Sequence, residues 1–475
     1  MPATQDSSTN DGSAKQQASS NTTSSEIASL PVIDGPQYPA THAAKSDEMS
    51  ASGSQTESQW QKMLEPYLTQ TPTSTFGTAA QEPLVSPPAP PLLPFTDGTV
   101  RVGILLPLSG PNEQLGRSML NAAQMAMFDF ANTDFELLPH DTAGSSEQAS
   151  HSATLTIGDG ASLIVGPLLS SSVRAVAPIA RAANVPVLAF SSDSSVAGDG
   201  VYTMGFLPEN NTRRVLSYAI NQGLRRYAIL APNTPYGAAV VSSARETLLQ
   251  QGRILVDVVY YNSSGSNIEA VIRSLADYDY RRESLLEMRK QLESSEDEIS
   301  VKALERLKLL ETLGDLPFEA LLIADGGERL QDVAAMLPFY DIDPKKVRIL
   351  GTGQWDANGI GAEPALVGAW FAAPPAQTRS SFVQRYNELY GEYPPRLASM
   401  AYDAMALAAV LARGESSSPY VSSAFLFDRG YSGRDGIFRF TDSGTADRGL
   451  AVYEVRRREN IIIDDAPKSF AAVEN

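Results

Sequence analysis

The sequence predicts an α/β protein of two Rossmann-like lobes with parallel sheets, preceded by a disordered N-terminal tail. Three observations predict it. From Val100 onward, short runs rich in Val, Leu and Ile alternate with longer segments of helical spacing, the pattern of parallel strands joined by crossover helices. This alternation occurs in two consecutive sets, so the chain carries two such units. Ahead of them, residues 1–98 are crowded with Ser, Thr, Gln, Ala and Asn and close with PLVSPPAPPLLP (83–94), a composition that cannot bury enough surface to offset the entropy of ordering. That segment reads as a mobile tether, with one helical patch around Trp60 to Leu68 as a candidate docking element.

The first set opens with the strand VRVGILLP (100–107) and the helix SMLNAAQMAMFDFAN (118–132), which has apolar residues at helical spacing and no internal Pro or Gly. FELLPHDT (135–142), ASLIVGP (161–167) and VPVLAF (185–190) follow as strands. Between them lie the helices EQASHSATLTIGDG (147–160) and SVRAVAPIARAAN (172–184), the latter with a kink expected at Pro178. In the second set, the strands are RRYAILAPNTPYG (225–237, ending in a turn), ILVDVVYY (254–261), FEALLIAD (318–325) and VRILGTG (347–353). Their helices are TRRVLSYAINQG (212–223), AAVVSSARETLLQQG (238–252, capped by Gly252), NIEAVIRSLADYD (267–279) and RLQDVAAMLPFYD (329–341).

A charged, Leu-punctuated stretch at about 280–316 interrupts this rhythm and reads as one long or two short helices. An ordinary crossover does not need it. It is either a solvated hairpin or a partner-docking face. Beyond it, RSSFVQRYNELYG (379–391) and LASMAYDAMALAAVLARG (397–414) are helices. GIFRF (436–440) and GLAVYEVRR (449–457) read as a hairpin closed by a turn at Asp442 to Gly444, and the chain after Arg458 as a short tail.

The composition excludes several function classes. A net charge of −18 argues against nucleic acid or anionic membrane as the main partner. With no cysteine there is no disulfide, thiolate chemistry or Cys-ligated metal. The three histidines, His42, His140 and His151, leave few general bases. No GxSxG, Walker, HExxH or GxGxxG motif is present, and the Gly-rich GTGQWDANGIG fits no phosphate loop. His140-Asp141 is tied to no nucleophile. The chain therefore reads as a non-enzyme, with no cofactor and no metal. No apolar run is long enough to span a bilayer, and no export signal or lipobox is visible, so the start as given either stays inside or lies downstream of an export segment.

Candidate binding residues cluster at strand exits, where open α/β sheets hold ligands. Ser109, then Ser170, Ser171 and Ser172, then Ser191, Ser192 and Asp193 follow three strands of the first set. Each serine cluster opens a helix. Its amides and hydroxyls either receive a carboxylate or simply cap the helix. In the second set, Tyr236 is either a lid over the cleft or a surface turn residue. Asp325 and Glu328 occupy the next exit, and Gln354 and Trp355 the one after; Trp355 is either a stacking wall or a core aromatic.

VGILLPLSG, LIVGPLLSSSVRAVAPIARAANVPVLAFSS, AILAPNTPYG and LIADGG resemble the Leu/Ile/Val-binding proteins of the type I periplasmic binding fold, over about Val100 to Arg458. The resemblance implies lobes joined by a three-crossing hinge: 99–207 with 374–440, and 208–373 with 441–462. It also implies a pocket with Ser170, Ser191, Asp193 and the lid Tyr236. The chain departs from that pocket elsewhere: Leu115 and Glu328 fall where the family has tyrosines, and no Glu stands at Gly353 to Trp355 to pair a ligand ammonium. A zwitterion keeps its carboxylate receptor and loses its ammonium partner, a costly loss on burial.

LLPLSG, VGPLLSSSV, the charged insertion and MLPFYDIDPKKVRILGTGQW resemble more narrowly the C-terminal domain of the lipoprotein activators of class A penicillin-binding proteins. That resemblance implies a periplasmic protein, anchored at the outer membrane, with a class A penicillin-binding protein as partner. The lipidated Cys of those activators has no counterpart here. The alternative is the substrate-binding component of an ABC importer, taking an amino acid or another small anionic or zwitterionic ligand.

Overall fold

The structure, a computed structural model, describes residues 98–470 apart from 296, 358 and 414–418. Of the tether expected over 1–98, all but Gly98 lies outside the described residues. Among the described residues no helix is long and apolar enough to cross a membrane.

The first sheet is built from β1 (Val100–Leu106), β2 (Phe135–Asp141), β3 (Leu163–Val165), β4 (Val187–Ala189) and β5 (Val201–Thr203), in the order β2-β1-β3-β4-β5. Every pairing in it is parallel. The crossovers are α1 (Glu113–Phe130), α2 (Ser146–Gly158) and α3 (Ser170–Ala182), with Pro178 inside α3. The uninterrupted apolar runs are explained by burial on both faces. Val102, Ile104 and Leu106 of β1 enter one core and Leu105 the other.

α4 (Pro208–Asn221) carries the chain to a second sheet, whose first strands are β6 (Arg226–Pro232) and β7 (Ile254–Tyr261), with α5 (Pro235–Gln250) between them. Gly252 ends α5 as read: at φ +60° it follows the C-cap, with its N–H on the Leu249 carbonyl and that of Arg253 on Leu248. α6 (Ile268–Leu275) precedes the insertion, which is two helices, α7 (Tyr278–Glu293) and α8 (Glu298–Leu307). Next come β8 (Ala320–Ile323), α9 (Gly327–Met336), β9 (Arg348–Gly351) and β10 (Trp370–Ala373). This sheet too has a core on each side: Ala228 and Leu230 of β6 face one, Tyr227, Ile229 and Ala231 the other.

The chain then returns to the first lobe as α10 (Ala376–Tyr390), α11 (Ala398–Ala412) and α12 (Ser422–Phe425). α11 lies on α1, where Tyr402 donates to Asp129 at 2.6 Å and Arg385 pairs with the same carboxylate. A small sheet of β11 (Tyr431–Gly433), β12 (Gly436–Phe440) and β13 (Ala446–Arg448) seals this core with Phe438, Phe440 and Ala446. β14 (Ala451–Glu454) and β15 (Ile461–Asp464) complete the second sheet, in the order β15-β14-β10-β9-β8-β6-β7.

The C-terminal hairpin differs from the sequence reading. β12 pairs with β13, and of the run at 449–457 the Gly449 N–H reaches it, on the Ile437 carbonyl at 2.8 Å. Within that run, β14 lies antiparallel to β10 in the other sheet. The turn at Asp442 to Gly444 is present but closes the shorter hairpin, with Gly444 N–H on the Thr441 carbonyl at 2.8 Å. The tail after Arg458 contains a strand, β15, paired to β14.

Candidate functional site

The chain passes between the two sheets three times: at Met204 to Leu207, at Pro374-Pro375, and at Gly449-Leu450. On the first lobe, β1, β3 and β4 are neighbours, so Ser109, the Ser170 cluster and the Ser191 cluster share one rim. On the second lobe, β6, β8 and β9 are neighbours, which groups Tyr236, Asp325, Glu328, Gln354 and Trp355 in the same way.

Ser109 is spent within its own wall. Its hydroxyl donates to Asp141 at 2.6 Å, and the same carboxylate accepts the amides of Leu108 (2.8 Å), Ser109 (3.2 Å) and Ala143 (2.7 Å). Burial pushes the Asp141 pKa up, but these donors outweigh it and hold the carboxyl below its usual range.

The serines of α3 do not cap it. The N-cap is Leu169, with no side-chain acceptor, so the first-turn amides are left for another acceptor. Ser171 is exposed, Ser172 is buried, and Ser170 accepts Arg174 Nη1 at 3.4 Å. Arg174 also donates to Asp193 Oδ2 at 2.6 Å and to Ser195 at 3.0 Å. Asp193 caps the short turn after β4 by accepting the amide and hydroxyl of Ser195, and its own N–H donates to Ser191 Oγ at 3.1 Å. Burial raises the Asp193 pKa, and the Ser195 and Arg174 bonds more than reverse it. Ser192 points to solvent. The two serine clusters are thus joined by a surface Arg174–Asp193 ion pair, in which the guanidinium already has a carboxylate partner. Gly205 permits this packing: a Cβ there would stand 2.1 Å from the Ser191 carbonyl, so the first crossing runs flat against the serine loop.

On the second lobe Tyr236 is tied to its own lobe. Its hydroxyl donates to Thr352 Oγ1 at 2.8 Å within the same lobe, and burial pushes its pKa up to about 12. The Asp325 carboxylate accepts Tyr261 and the Gly326 amide. Glu328 and Gln354 are exposed. Trp355 is a core residue and no ligand wall: it is fully buried against Phe371, its indole N–H donates to the Asp325 carbonyl at 2.8 Å, and Gly351 opens the space for its ring.

Two bridging residues were not singled out from the sequence. Glu209, at the start of α4, accepts Ser194 Oγ of the first lobe at 2.8 Å. The pair Pro208-Glu209 carries the signature of a helix start, Pro at the first position with an acid beside it, four residues ahead of the predicted one. Arg396 donates to Asp356 of the second lobe at 3.3 Å and to buried Asp435 of the first. Its guanidinium lies 4.7 Å from the Phe206 ring in the first crossing, and Arg448 lies 4.8 Å from the same ring.

Two α/β lobes joined by three chain crossings, with polar residues at neighbouring strand exits, form the architecture of a periplasmic binding protein. The chain belongs to the periplasmic binding protein family, of the Leu/Ile/Val-binding type, whose model matches residues 99–460. A penicillin-binding protein activator LpoA from Glaesserella parasuis is 28% identical over 166 residues, covering 34% of this chain and 28% of that protein. The chain spans less than half the length of the curated relatives it matches. A putative branched-chain amino acid ABC transporter structure from Rhodospirillum rubrum matches with a TM-score of 0.60 at 17% identity, covering 77% of this chain and all of that one. The LpoA C-domain from Haemophilus influenzae, described as a regulator of PBP1A, matches with a TM-score of 0.55 at 18% identity, covering 76% and 99%. At these identities the structures establish the shared fold.

Proposed function

We propose that this chain is a non-enzymatic periplasmic protein, held at the outer membrane, that activates a class A penicillin-binding protein and so regulates peptidoglycan synthesis. The observation that carries this reading is the α7–α8 hairpin. It projects Tyr280, Leu286, Ile299 and Leu309 into solvent, with Ile299 81% and Leu309 85% exposed. Apolar side chains grouped on one added element mark a partner surface. The hairpin is anchored, not loose: buried Arg281 bonds the Gly314 carbonyl at 2.8 Å and Asp341 at 2.7 Å. Docking there shifts the synthase toward its active conformation.

The test replaces 286–309 by a short linker, sparing the Arg281 anchor, and measures glycan polymerisation by the synthase. Stimulation should vanish while the melting transition persists. Stimulation at the wild-type level sinks the role of the hairpin.

A second reading, a solute receptor of an ABC importer, is favoured by the uncapped amides at the start of α3. Calorimetry with amino acids and wall peptides separates the two. Tight binding lost in Ser170→Ala supports the receptor.

A further inference from the structure

A hollow of about 700 Å³ lies beside the second crossing and shares no residue with the serine rim or with Tyr236. Its volume suits a small molecule. Pro374, Pro375 and Val383 give it apolar surface, Tyr393 stands at its edge with 77% of its area exposed, and Asp356 reaches it from the second lobe.

Arg379 is the unusual member. Its Nη2 donates only to the carbonyls of Pro394 (3.2 Å) and Pro395 (3.3 Å). Its Nε is shut off from solvent with no acceptor, which leaves Nη1 as the donor a ligand reaches. Burial, and then the nearby Arg396 charge, push its pKa down, and the Asp435 and Asp356 charges only partly oppose them. Arg396 is balanced by Asp356 and Asp435, whereas no carboxylate is paired with Arg379 among the described residues. A half-buried guanidinium facing neutral carbonyls is an incomplete anion receptor. Asp356 and Glu388 on the rim add to the cost of each negative charge brought in, so a monoanion is favoured over a phosphate dianion. Proline faces and a tyrosine ring suit a flat apolar body.

We propose that this hollow binds a cyclic or aromatic monocarboxylate, its carboxylate on Arg379 and its ring between Pro374-Pro375 and Tyr393. An occupant touches Asp356 of one lobe and the first turns of α10 of the other, so it bridges the hinge.

Calorimetry on the full chain with phenylacetate, against the uncharged phenylacetamide, tests the site. Phenylacetate should bind, and phenylacetamide should be at least about tenfold weaker. Arg379→Met should weaken phenylacetate by about tenfold or more, and Tyr393→Ala by severalfold. Tyr393 is a rim residue, so its variant stays folded even if Arg379→Met does not. No binding up to about 10 mM, equal binding of the amide, or binding that survives both substitutions each overturns the proposal.

Discussion

Arg396 reaches across the lobe boundary to Asp356, with Nε 3.3 Å from Oδ2, while its Nη1 holds Asp435, which is fully buried in the first lobe. One guanidinium therefore serves an exposed pair and a buried one. Asp435 also accepts Ser399 Oγ at 2.8 Å. The two halves of this arrangement carry different energies because their solvent differs.

Asp356→Ala breaks the exposed half. Both partners are about a third exposed, so the loss of stability should stay below about 1 kcal/mol. The interlobe tie is lost, and solution scattering should report a larger radius of gyration. Asp435→Ala strips a buried counter-charge from Arg396 and should cost about 3 kcal/mol in a urea titration. Equal costs for the two variants would refute the division.

Asp403 sets a pH dependence. Burial, and then the negative charge of Asp435, push its carboxyl up to about 7. Its folded pKa exceeds the unfolded value, so the folded state binds the extra proton between about pH 4 and 7. This group's contribution is greatest below pH 4 and is lost as pH rises through 7. Asp129, Asp141 and Asp193 act in the opposite sense: burial raises their pKa values, hydrogen bonds outweigh it, and their stabilisation is lost as pH falls through the depressed values. Asp403→Asn keeps an acceptor for the Arg434 amide at 2.7 Å and should flatten the decline between pH 4 and 7. An unchanged slope in melting temperature against pH would count against this account.

Much of this fold was legible because burial on both sheet faces leaves a local mark. β1, β6 and β8 read as strands from their own composition, since their buried positions are nearly all filled by apolar side chains. β5, β10 and β15 were missed. They are three or four residues long, and VYT, WFAA and IIID are too short for a periodicity that separates strand from loop. Register and partner are non-local, so nothing near Ala451 announces that β14 crosses to β10. For the candidate site, the sequence offered positions and not contacts. Strand exits located Ser170, Ser191 and Asp325, but the internal partners of those residues, Arg174 for Asp193 and Tyr261 for Asp325, depend on helices and strands meeting in space.

Tyr236→Phe distinguishes a structural tyrosine from a lid. The hydroxyl spans 2.8 Å to Thr352, itself fully buried, and its loss should cost about 1 kcal/mol in chemical denaturation. A lid tyrosine held only by ligand would leave unliganded stability unchanged.

Ile299→Ser and Leu309→Ser probe the hairpin surface without touching its frame. Both side chains are more than four-fifths exposed, so neither contributes core burial, and stability should move by less than about 0.5 kcal/mol. Arg281→Met is the contrasting variant. It leaves Asp341 with Thr312 as its remaining side-chain donor and frees the base of α7, so the hairpin should lose amide protection ahead of global unfolding. If the synthase docks on this face, each serine variant should weaken half-maximal stimulation roughly tenfold, the loss expected of one central apolar anchor. The paired variants separate surface from scaffold: a defect shared by all three implicates the hairpin, and a defect confined to Arg281→Met shows that its position, not its apolar face, is what the partner reads.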